Sequence, residues 1–175
     1  MVDVLGTWGA RWAFGEIRPS ELDPILLLWK IRRRIRRQQL PAGRRIVVEF
    51  RFPGSHPEWL WLVLERTDVS LCLKHPGFQP DVRIRADLTV FYYAWLGRIT
   101  LPEAIRSGAV QIDGDQRLKR SFPEWLQWSP MANAVRAAVA EGLPTAEGLG
   151  PALRIQARSR RMRSGLENES LAAHS

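Results

Sequence analysis

Residues 45–52, Arg45-Ile46-Val47-Val48-Glu49-Phe50-Arg51-Phe52, decide the fold. Ile46, Val48, Phe50 and Phe52 recur at every second position, alternating with Arg45, Glu49 and Arg51. Successive side chains of a strand point to opposite faces, so the pattern predicts a strand with one apolar and one charged face. Residues 59–64, Trp59-Leu60-Trp61-Leu62-Val63-Leu64, are continuously apolar and short, as expected of a strand buried on both faces. Arg66-Thr67-Asp68 supplies polar turn chemistry, and Val69, Leu71 and Leu73 then alternate with Ser70, Cys72 and Lys74, which predicts a hairpin. His75-Pro76-Gly77 breaks the strand, and Val82, Ile84 and Ala86 alternate with Arg83 and Arg85 in a fourth. Four such strands need a sheet with one well-covered face.

The flanks of this run read as helices. Upstream, Asp23 is an N-cap and Pro24 suits the first helical position, where a missing N–H costs nothing. Ile25, Leu28, Ile31 and Ile35 share one face with Trp29 at its border, and Lys30, Arg33, Arg34 and Arg37 gather opposite, so the spacing predicts a basic amphipathic helix over 24–37 that stops near Leu40-Pro41. Downstream, Asp87 caps a helix over 88–96 with Leu88, Phe91, Tyr92 and Trp95 on one face and Gly97 at its exit. Thr100-Leu101-Pro102-Glu103 is a capping-box pattern that opens a second helix, with Leu101, Ala104 and Ile105 inward and Gly108 as its stop. A fifth strand over 109–113 turns at Asp113-Gly114-Asp115 into a helix carrying Leu118, Phe122, Trp125 and Leu126, with a break expected at Pro123. Ser129-Pro130 begins an Ala-rich last helix that ends near Gly142. Four strands, two helices, one strand and further helices make an α+β pattern.

Composition agrees with one globular domain plus surplus: 175 residues, 45% hydrophobic, 26 Lys+Arg against 18 Asp+Glu, net +8. The single cysteine, Cys72, excludes an internal disulfide and a Cys-rich zinc site. No apolar run approaches the ~20 residues that span a bilayer. Asp3, Gly6 and Gly9 at the N-terminus make no secretion signal, so a soluble cytoplasmic protein is expected. The charge is uneven. Residues 52–140 hold 10 basic and 9 acidic side chains, whereas 30–45 hold eight basic ones and no acid, and Arg154, Arg158, Arg160, Arg161 and Arg163 form a second cluster. Residues 141–175, rich in Gly, Pro, Arg and Ser, read as a disordered tail. In residues 1–18, Val4, Leu5, Trp8 and Trp12 have helical spacing interrupted by Gly6, Gly9 and Gly15, which predicts the remnant of a preceding helix. The domain proper is then 19–140.

The order Arg85-Ala86-Asp87-Leu88, Tyr93-Ala94-Trp95-Leu96-Gly97, Leu101, Ala104-Ile105-Arg106-Ser107-Gly108, Ile112-Asp113-Gly114 and Phe122-Pro123-Glu124-Trp125-Leu126 resembles the sterol carrier protein 2 family. More narrowly, it resembles the version fused behind a winged-helix domain in some HxlR-type transcriptional regulators. Glu21-Leu22-Asp23-Pro24, Trp61-Leu62-Val63-Leu64 and Leu71-Cys72-Leu73 extend the resemblance over residues 19–131. It implies a mixed five-stranded sheet with helices over one face, enclosing an apolar tunnel for a lipid-like ligand, and it carries over no catalytic residue. It also implies a winged helix ahead of this domain, where only 18 residues precede Pro19. Either the gene start is set too late or the chain is a lone ligand-binding module.

The candidate ligand residues are Leu62, Leu64, Leu71, Leu73, Leu88, Phe91, Trp95, Ile105, Phe122 and Trp125. Each is open to two readings, tunnel wall or ordinary closed core, and the resemblance favours the tunnel for the set. Lys30, Arg33, Arg34 and Arg37 could grip phosphates of nucleic acid or an anionic surface, or could be the solvated face of a packed helix. No aromatic residue interleaves the basic face. His56, His75 and His174 lack metal-ligand spacing, Asp113 and Asp115 are explained by a turn and a cap, and Gly148-Leu149-Gly150 has no strand before it to make a phosphate loop. Cys72, between Leu71 and Leu73, reads as buried rather than reactive. The expectation is therefore a protein that is not an enzyme, with no catalytic residue, no metal and no cofactor. It binds an apolar small molecule, as the sensor of a regulator that meets DNA mainly through the missing winged helix. The alternative is a nucleic-acid-binding or dimerising protein that uses the basic segment 30–45, with a homodimer as its further partner.

Overall fold

The computed structural model describes residues 22–140; the helix remnant expected over 1–18 and the tail expected over 141–175 lie outside the described residues. Strand β1 (Ile46–Arg51) is the centre of a five-stranded sheet. It pairs antiparallel with β2 (Trp59–Leu64) and parallel with β4 (Val82–Ala86), while β3 (Val69–Cys72) and β5 (Val110–Gly114) form the edges in the order β3-β2-β1-β4-β5. The α+β class is as the order of elements predicts, and the mixed five-stranded sheet is as the resemblance implies. Register follows from the alternation: Ile46, Val48 and Phe50 sit opposite Leu64, Leu62 and Leu60, and all six are buried. A slip by one residue would turn every one of them to the other face.

Helices α1 (Pro24–Arg32), α2 (Leu88–Leu96) and α4 (Gln116–Trp125) supply buried side chains to the inner face, with α3 (Leu101–Arg106) and α5 (Ala132–Ala140) beside them. The sequence-derived caps are present. Asp23 accepts from the backbone of Ile25 and Leu26, Asp87 from Val90, and Thr100 and Glu103 close a reciprocal capping box. Gly97 leaves α2 at φ +85°, and a Cβ there would lie 2.5 Å from the carbonyl oxygen of Ala132, so α5 packs where only glycine fits.

Three local expectations are corrected. The first helix ends at Arg32, not at residue 37, because the backbone of 34–36 bonds elsewhere. The amide of Arg36 donates to Trp125 (2.8 Å), the amide of Gln127 donates to Arg34 (3.0 Å), and Ile35 bridges Leu126. Ile35 is buried as its spacing suggests, but through this bridge. Helix α4 runs through Pro123 to Trp125 without a break. Ile105 is 40% exposed, since only Leu101 and Ala104 of the short α3 face the core.

The outer face differs. Val47, Glu49 and Arg51 stand opposite Val63, Trp61 and Trp59. Arg51 pairs with Glu58 (2.6 Å) and lies over Trp59, Arg83 reaches Glu49 (3.7 Å), and Trp61 donates to Glu49 (3.1 Å). The β3–β4 connection crosses this face, with His75 against Trp61 and Phe78 under Arg45.

Candidate ligand site

Eight of the ten candidate ligand residues join one apolar cluster between sheet and helices. Leu62 and Leu64 come from β2, Phe91 and Trp95 from α2, and Phe122 and Trp125 from α4, all buried; Leu71 and Leu88 are partly buried and pack against them. The two others stand apart. Leu73, just past the end of β3, is 54% exposed, and Ile105 is on the open side of α3. Phe50, outside the ten candidates although its alternation places it on this face, is the hub. Its ring centre lies 5.9 Å from that of Phe91, 6.1 Å from Phe52 and 6.5 Å from Phe122, and Phe122 meets Trp125 edge-on at 6.0 Å. These rings touch, so the middle of the layer is filled with aromatic side chains. Trp125 brings the one polar atom that stands out here: its indole Nε1 is buried and has no hydrogen-bond partner among the described residues.

The outer face carries a separate open depression of about 390 Å³ between β2, β3 and the crossing connection, lined by Arg45, Val63, Asp68, Ser70, Cys72 and Phe78 among others. Its charges are satisfied locally. Arg45 pairs with Glu65 (2.6 Å), and the Ser70 hydroxyl donates to Asp68 (2.6 Å), which holds that carboxyl below the ordinary aspartate range. Cys72 is half-buried there rather than enclosed.

The four basic candidates are divided. Arg34 donates to the carbonyl of Trp128 (2.9 Å) and Arg37 to that of Thr67 (3.1 Å), so both tie segments of the fold together. Lys30 on α1 and Arg33, the residue capping its C-terminus, are exposed, Arg33 lying 4.9 Å from the Trp29 ring centre. Arg44 pairs with Asp81, which also accepts from the amide of Val47. Arg98, unassigned from sequence, is buried after α2 with its guanidinium over Tyr93, and burial lowers its pKa. Among the described residues no three His, Cys, Asp or Glu side chains gather as metal ligands, and no helix is long and apolar enough to cross a membrane.

No family model and no curated protein matches the sequence. Among solved structures, the stereoselective inverting sec-alkylsulfatase Pisa1 from Pseudomonas sp. is similar over 63% of this chain at 19% identity and a TM-score of 0.50, and a double mutant of that enzyme gives 0.51. The match covers 17% of the enzyme, so the chain spans less than a fifth of that protein's length. The ubiquinone synthesis protein UbiJ-SCP2 is similar over 78% of this chain and 93% of its own, at 18% identity and TM-score 0.39. Sterol carrier protein 2 like 2 from Aedes aegypti is similar over 57% and 92%, at 15% identity and TM-score 0.41. The sulfatase match establishes a shared architecture. It also overturns the expectation of no enzyme, because this fold forms part of an enzyme's chain and so does not set the protein apart from enzymes.

Proposed function

We propose that the chain binds a lipid-like or other apolar small molecule between the inner face of its sheet and the helices over it. The observation that carries this reading is the rim of the apolar cluster. Its centre is closed, but Ile25, Leu71, Leu88, Tyr92, Leu96 and Ile112 pack against it only partly buried. Apolar side chains therefore continue outward from the core, and Leu73 carries the same character to the surface at the β3 edge. A ligand covering ~300 Å² of such surface gains about 7 kcal/mol before ordering costs, enough for micromolar binding. The binding set is Leu62, Leu64, Leu71, Leu88, Phe91, Trp95, Phe122 and Trp125, with Leu73 at its mouth; exposed Ile105 is left out. Thermal melting with fatty acids, acyl-CoAs, sterols and a secondary alkyl sulfate tests the reading. The last belongs to the class named by the enzyme with the same architecture. A rise in melting temperature with at least one class supports it; cooperative melting unmoved by all four contradicts it.

The finer reading, a cytoplasmic sensor within a transcriptional regulator, is supported by the sequence resemblance of residues 19–131. Its test is a longer chain with a winged helix that releases operator DNA when ligand is added. Lys30 and Arg33, with exposed Arg36 beside them, are the cations left for the alternative, direct contact with nucleic acid. Salt-independent retention on DNA, unaltered by Arg33→Glu, would dismiss that alternative.

A further inference from the structure

We infer that the indole N–H of Trp125 is the polar anchor of the bound molecule, which makes the ligand an apolar chain or ring with one neutral hydrogen-bond acceptor, a carbonyl or hydroxyl oxygen. The inference rests on the ligand-binding reading above. Trp125 closes α4 at 1% exposure, and its Nε1 has no acceptor among the described residues. Three backbone carbonyls of the adjoining segments already have donors. The Trp125 carbonyl takes the Arg36 amide (2.8 Å), that of Arg34 takes the Gln127 amide (3.0 Å), and that of Trp128 takes the Arg34 guanidinium (2.9 Å). The other buried tryptophan indole with a defined partner, Trp61, donates to Glu49 on the outer face. Buried tryptophans usually find such a partner, because a donor stripped of water with nothing in exchange weakens the fold. A phenylalanine would fill most of the same space without that loss. The surroundings also set the ligand's charge. Phe122 meets the Trp125 ring edge-on and Phe50 packs against Phe122, and a single neutral N–H cannot compensate a buried carboxylate, whereas it can satisfy a neutral oxygen.

The test compares a long-chain methyl ketone with the alkane of the same length, each displacing one fluorescent apolar probe from the native protein and from Trp125→Phe. One neutral hydrogen bond corresponds to about 3- to 10-fold in affinity. The variant should lower the ketone-to-alkane affinity ratio by that factor, whatever the smaller ring does to the binding of both. In the native protein, the ¹⁵N-resolved indole N–H signal of Trp125 should move downfield with ketone and not with alkane, a readout that stands even where the variant fails to fold. Both ligands binding with their affinity ratio unchanged by the substitution and no downfield shift overturns the anchor alone. Neither ligand displacing the probe from the native protein overturns the ligand-binding reading and the anchor with it.

Discussion

The two faces of the one sheet were made by the same alternation and came out chemically opposite. Inside, Phe50, Leu62 and Phe91 are packed ring against chain with almost no polar atom. Outside, Arg51, Glu58, Glu49 and Arg83 pair across strands, and tryptophans lie beside them with their edges hydrogen-bonded or stacked on guanidinium groups. The inner face draws stability from apolar area removed from water. The arginines of the outer pairs remain open to solvent, and an ion pair of that kind contributes about 0–1 kcal/mol. One face thus forms the core, and the other carries the ion pairs and the connection that crosses it.

The sharpest break of this comparison is a pair of neighbouring substitutions. Leu62 and Val63 are adjacent in β2 but point to opposite faces. Leu62→Lys should cost at least about 4 kcal/mol and unfold a marginal domain, because its charge has no partner inside. Val63→Lys, which borders the outer depression near Glu65, should stay within about 1 kcal/mol of the native chain. Urea denaturation of the two variants checks this, and equal costs would mean that the faces are not distinct.

A smaller effect is expected at the edge of the helical layer. Gly97→Ala should lose about 1–3 kcal/mol, since alanine resists the positive φ and its Cβ meets the backbone of Ala132. Denaturation midpoints measure it, and a neutral result would mean that α5 does not pack as described. Smallest is the acid response of the solvent-side caps. The Glu103 carboxylate accepts the Thr100 amide (2.7 Å), which holds its pKa below the ordinary 4.5; Asp115, bonded to the amides of Leu118 and Arg117, is lowered likewise. A carboxyl depressed in the folded state adds stability above its unfolded pKa and loses it as pH falls through the folded one. Stability should therefore decline as pH drops below 4.5, and Glu103→Gln should flatten part of that decline in melting curves taken down the series.

The strands were legible because period two is a local signal, and the caps because Asp23, Asp87 and Thr100 act within three residues of themselves. What failed depended on contacts distant in sequence. Residues 33–37 have helical spacing, yet their backbone is claimed by 125–127, a partner that no local pattern announces. The spacing of Ile105 points inward for α3 taken as an isolated amphipathic turn, but the packed side of that turn is taken up by Leu101 and Ala104. Arg34 and Arg37 looked like free cations for the same reason: the carbonyls they bind, at Trp128 and Thr67, are remote in the chain. Of the candidate ligand set, the helix and strand spacing found the cluster, but the unpartnered Nε1 of Trp125 is a three-dimensional fact with no sequence signature.

The most direct test of apolar binding on the inner face is a spectrum of the eight tryptophan indoles during titration with the long-chain methyl ketone to saturation. The signals of Trp95 and Trp125 should move, while those of Trp59 and Trp61 on the outer face stay in place. Movement of the outer pair with the inner pair fixed, or no movement of any indole, would contradict the account.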